Sequence, residues 1–130
     1  MDCTVEFTKD QFELIETILK EELIDLGVQS VLLLDLAGNI IVSLDNGKIS
    51  HDIYSLAALA AGNFGAVSAM AKIIGEEDFS LLFHKGEKES INFSKVNDDL
   101  LLLTIFSKDL SLGFLRLKVA EAIKKIQNLI

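Results

Sequence analysis

The chain has 130 residues, half of them apolar and a quarter charged, a length and balance that fit one domain over residues 1–130 with its own core and exclude a disordered polymer. Its formal net charge of −8 argues against a nucleic-acid partner, because phosphate binding calls for a basic surface. The lone Cys3 excludes an intrachain disulfide framework, no unbroken apolar run approaches the ~18 residues of a membrane span, and the start Met1-Asp2-Cys3 lacks a basic stretch, so a cytoplasmic protein without signal peptide or membrane insertion is expected.

The first helix is marked by a capping box, Thr8 with Gln11, and by Phe7 and Phe12 in the staple positions on either side. Phe12, Ile15, Leu19, Leu23 and Leu26 follow at helical spacing, and Gly27 is placed to end the helix. Val28–Leu36 is nearly continuous apolar sequence, as a strand covered on both faces would be. Asp35-Leu36-Ala37-Gly38 turns the chain into a second strand, Asn39–Leu44. After the turn Asp45-Asn46-Gly47, a helix capped by Ser50 or Asp52 runs to about Gly75. Phe79–His84 reads as the third strand, Ser90–Lys95 as an alternating fourth, and Leu100–Phe106 as an apolar, central fifth. A last helix runs from Leu110 or Ser111 to Leu129. The order α-β-β-α-β-β-β-α, with hairpin-length connections, predicts an α/β (α+β) fold whose sheet is mainly antiparallel with helices on both faces.

Charge is uneven along the chain. Residues 1–26 carry eight acidic and two basic side chains, whereas Arg116, Lys118, Lys124 and Lys125 face only Glu121 in residues 110–130. This complementarity is expected to help the two ends lie together.

The second helix is the unusual element. Its positions 56–74 divide, at 100° per residue, into a side with Leu56, Leu59, Ala60, Val67, Met70 and Ile74, expected to lie on the sheet, and an opposite side with Ala58, Ala61, Gly62, Gly65, Ala69 and Lys72. A solvated helix face normally carries Glu, Lys or Gln. Glycines inside a helix each cost about 0.8–1 kcal/mol relative to alanine, so Gly62 and Gly65 call for a compensating reason. Close approach of another helix, from a twin subunit or a partner, supplies one. Gly62-Asn63-Phe64-Gly65 also matches the GxxG of nucleic-acid-clamping loops, but its flanks are alanines and helical periodicity runs through it.

Chemistry of the chain's own is not evident. His51 and His84 lie in different elements and neither has a metal-ligand spacing. His84 reads as a solvated residue at a strand end. No phosphate-cradling GxxxxGK[ST] occurs, Cys3 has no local base, and Glu76-Glu77 and Asp98-Asp99 read as turn and cap residues. No catalytic residue, metal or cofactor is expected.

The stretch Phe83-His84-Lys85-Gly86-Glu87-Lys88, the apolar strand to Ile105-Phe106, and Ser111-Leu112-Gly113-Phe114-Leu115-Arg116-Leu117-Lys118 resemble the roadblock family. Leu59-Ala60-Ala61-Gly62-Asn63 and Met70-Ala71-Lys72 with Ile74-Gly75-Glu76 extend the match to nearly the whole chain. The resemblance implies a five-stranded antiparallel sheet with the two terminal helices on one face and the central helix on the other. It implies a homodimer joined edge to edge through the third strand, with Phe79, Leu81 and Phe83, and through the paired second helices, with Phe64 and Ser68. It also implies that the helix pair receives a Ras-like GTPase of the MglA type, in cell polarity or motility, on the face carrying Ala58, Ala61, Gly62, Gly65, Ala69 and Lys72. Phe64 and Gly65 depart from the small aliphatic and alanine usual there, and no tail-dependent contact is expected after Ile130.

Many activators of such GTPases insert an arginine worth 10³–10⁵ in rate. The one arginine here, Arg116, falls in the last helix, so stimulation would come from positioning the GTPase's own groups. The alternative function is a dimeric scaffold that tethers a GTPase or motor complex without altering hydrolysis.

Overall fold

The computed structural model describes residues 6–47, 51–77 and 82–130. Helix α1 spans Lys9–Glu22. Its start is held by the capping box: Thr8 Oγ1 accepts from the Gln11 amide at 3.1 Å, and Gln11 Oε1 accepts from the Thr8 amide at 2.8 Å. The Phe7 and Phe12 rings meet edge to face at 5.5 Å beside it. The helix stops before the expected Gly27. Leu23 leaves helical geometry, Ile24–Leu26 form one 3₁₀ turn, and Gly27, at φ 113°, closes that turn instead.

Five strands follow the expected order: β1 Ser30–Asp35, β2 Ile40–Asp45, β3 Leu82–Lys85, β4 Glu89–Lys95 and β5 Leu100–Ser107. Helix α2, Ile53–Ile73, separates β2 from β3, and helix α3, Leu112–Gln127, ends the fold. The strands form one sheet in the spatial order β2-β1-β5-β4-β3, every pairing antiparallel. The two most apolar strands, β1 and β5, therefore lie side by side at the centre, with Leu32 opposite Leu103.

Alternation along these strands feeds two cores. Val31 and Leu33 of β1 with Leu100, Leu102 and Phe106 of β5 pack against Ile15 and Leu19 of α1 and Leu115, Val119 and Ile126 of α3. Leu32 and Leu34 with Leu101 and Leu103 point the other way, toward Ala57, Ala60 and Phe64 of α2. A strand with both faces covered has no use for polar alternation, which is why these runs are continuous. Each fully buried leucine contributes about 1.5–3 kcal/mol relative to exposure, so the sheet centre is the most strongly held part of the fold. The terminal helices share one face and α2 has the other.

Candidate functional site: the outer surface of the second helix

Asp52 begins α2. Its Oδ1 accepts from the Ser55 amide at 3.2 Å and its Oδ2 from the Ser55 hydroxyl at 2.7 Å. The Ser55 hydroxyl, then the Ser55 amide, hold the Asp52 carboxyl below its ordinary range. From there to Ile73 the helix carries one charge, Lys72. The reading of unbroken apolar runs missed this: as a whole, α2 is long and apolar enough to cross a bilayer by length and composition. Only 22% of that apolar stretch is buried. Ala57, Ala60, Ala61, Phe64 and Ala71 are buried, and the β1–β2 turn closes over the helix from one side.

The helix is rotated by roughly 80° from the expected orientation, taking 100° per residue. Ala61, expected on the outer face, is only 8% exposed and lies toward the sheet. Phe64, expected at a dimer interface, is 8% exposed and is the largest side chain that α2 buries in the core beneath it. Leu59 (72% exposed), Met70 (54%) and Ile74 (68%), expected on the sheet, face outward. The cause is close approach. The helix lays alanines on the sheet and fills the remaining space with one aromatic ring. In the β1–β2 turn, Asp35 Oδ1 accepts from the Ala37 and Asn39 amides and fixes Gly38 at φ 91°. A β-carbon on Gly38 would lie 3.1 Å from the Ala58 α-carbon, so turn and helix meet backbone to backbone.

Ala58, Gly62, Gly65, Ala69 and Lys72 are all exposed. A β-carbon on Gly62 or Gly65 would meet nothing within 4 Å. Leu59, Met70, Ile73 and Ile74 flank this strip. They are the surface residues that sequence reasoning missed. A helical wheel centred on Phe64, the one aromatic in the middle of the helix, would have found them. On the Leu59 flank, a groove of about 350 Å³ runs between α2 and β4, floored by Leu56, Ile91 and Ile105. His51 Nε2 and Glu89 Oε2, 3.3 Å apart, stand at its end. Ser68 is half-buried on the opposite flank from Leu59, so it does not face β4 or β3.

Among the described residues, strand β3 pairs only with β4 and forms one edge of the sheet. Phe79 and Leu81 lie outside the described residues. Phe83 points to the α1/α3 side and stacks on Phe106 at 5.9 Å. His84 lies in β3 and is exposed, one residue before the strand's end. It stands opposite Ile91 and meets Phe93 edge to face at 5.7 Å. Arg116 is exposed on α3, across the sheet from α2. Among the described residues no group of His, Cys, Asp or Glu could hold a metal ion.

The Roadblock/LC7 domain model matches residues 14–106 of the chain. Comparison with curated proteins gave no match. Among solved structures, MglB of Myxococcus xanthus is similar with a TM-score of 0.85 and 32% identity, covering 98% of this chain and 97% of that one. The gliding protein MglB of Thermus thermophilus gives 0.87 at 23% identity, covering 99% and 97%. An MglB described as having a tetrameric arrangement gives 0.88 at 22% identity, covering 99% and 96%.

Proposed function

The chain belongs to the Roadblock/LC7 domain family, and on that premise we propose that it is a homodimeric regulator that binds a small Ras-like GTPase, of the MglA type, and stimulates its GTP hydrolysis. Two protomers join through the β3 edges and through the Leu59, Met70 and Ile74 flanks of α2. The paired helices then present Ala58, Gly62, Gly65, Ala69 and Lys72 as the surface that receives the GTPase.

The observation that carries this reading is the open strip on α2. Gly62 and Gly65 have no neighbour in their own protomer that excludes a side chain, yet each costs helix stability. A second backbone approaching from outside accounts for both. The position of Arg116 on the other side of the sheet supports stimulation without an inserted arginine, by holding the GTPase's catalytic groups in place.

The test is GTP hydrolysis by the partner GTPase with and without this protein. Stimulation is expected, with Arg116→Ala as active as the parent. Gly65→Arg is expected to weaken association by about tenfold or more, since a buried clash of ~1.4 kcal/mol already amounts to that factor, and to leave the fold intact. Association without any rise in hydrolysis would replace this reading with the scaffold. Loss of stimulation in a folded, binding Arg116→Ala would overturn the positioning mechanism.

A further inference from the structure

On the α1/α3 side of the sheet, a cavity of about 510 Å³ opens between the β3–β4 turn and the loop that leads from β5 into α3. Its floor is the stacked pair Phe83 and Phe106, and Leu110 and Leu112 form a wall. Lys85 and Lys108 stand at its edge. Neither lysine is within ion-pair distance of a carboxylate in the described residues. Glu87 also lines the cavity, so the lining carries two positive groups against one negative. In a chain of net charge −8, a locally cationic rim over an aromatic floor is the reverse of the general surface.

An apolar cavity of this size lies within the roughly 300–1,000 Å³ range of binding sites. Unpaired lysines at its mouth select for negative charge on what enters and steer its approach. We propose that this cavity docks a short acidic segment of a partner protein, with an aliphatic or aromatic side chain seated on Phe83 and Phe106 and neighbouring carboxylates meeting Lys85 and Lys108. The site lies across the sheet from α2, and it shares Phe83 and Lys85 with β3, the strand whose edge joins the protomers in the proposed dimer. A partner held here leaves the α2 surface free.

The probe is a labelled short peptide of aspartates interleaved with leucine and phenylalanine, titrated into the full chain by fluorescence anisotropy. An asparagine-for-aspartate peptide and inorganic phosphate serve as controls. The aspartate peptide is expected to bind, the asparagine peptide to bind about fivefold or more weakly, and added salt to weaken the first selectively. Lys108→Glu, an exposed change, is expected to remove the preference for aspartate and to leave GTPase stimulation unchanged. Backbone amide resonances of Phe83, Phe106 and Lys108 should shift on titration and those of α2 should not. Equal binding of both peptides, displacement by phosphate alone, an unchanged affinity in Lys108→Glu, or shifts confined to α2 would each overturn the proposal.

Discussion

At Gly65 and Gly62 the helix gives up intrinsic stability for nothing inside its own protomer, whereas at Gly38 a side chain would collide with the α2 backbone. The same residue type thus answers to two different demands, and substitution separates them. Gly62→Ala and Gly65→Ala are each expected to stabilise the isolated chain by about 0.8–1 kcal/mol and at the same time to weaken its association with the GTPase. A shifted urea midpoint read beside a binding titration checks this. Destabilisation by either alanine would mean that the glycine serves packing within the protomer. Gly38→Ala should destabilise, because both its φ of 91° and its 3.1 Å approach to Ala58 exclude a β-carbon without strain.

Among the elements, α1 and α3 are tied at their surfaces as well as in the core. Gln11 Nε2 donates to the Leu129 carbonyl at 3.0 Å, and Lys125 donates to Glu22. The Lys125 hydrogen bond holds the Glu22 carboxyl below its ordinary value of 4.5, and Glu22 in turn raises Lys125 above 10.5. The depressed carboxyl contributes stability that is present above 4.5 and is lost as pH falls through its lowered folded value. The raised ammonium contributes stability that is lost as pH rises through its folded value. Glu22→Gln should therefore melt below the parent at neutral pH and converge with it in acid; thermal melts across pH read the difference. A gap that persists at the acid end would assign it to packing. The acidic start and basic end of the sequence already pointed to this contact, as the capping box did to α1 and the apolar runs to β1 and β5. The orientation of α2 was not legible in the same way. Periodicity locates a buried face by contrast with a polar one, and between Ile53 and Ile73 only Lys72 is charged. Bulky residues are the natural choice for a core, but alanines allow the nearer approach, so Leu59 and Met70 were left outside. The roles of the α2 surface residues rested on family resemblance, since glycines and alanines carry no chemistry that names a partner.

For the whole molecule, the exposed apolar flank of α2 looks over the groove floored by Ile91 of β4, the strand next to β3 at the edge of the sheet. Leu59→Glu and Met70→Glu place charge on that flank without touching either core. Each is expected to shift the proposed dimer to monomer in light scattering while its circular dichroism stays unchanged. A persistent dimer would move the interface elsewhere. The order of the strands carries a different consequence, for synthesis. β1 lies between β2 and β5, and Leu32 reaches its partner Leu103 only across most of the chain. A nascent chain therefore emerges from the ribosome with the β1–β2 hairpin and the apolar α2 already made but with nothing to close the sheet. Until β5 appears, the edge of β1 that pairs with it stays open and α3 is missing from the larger core, so this small protein should fold slowly for its size and should be most exposed to misassociation while its last third is still being made.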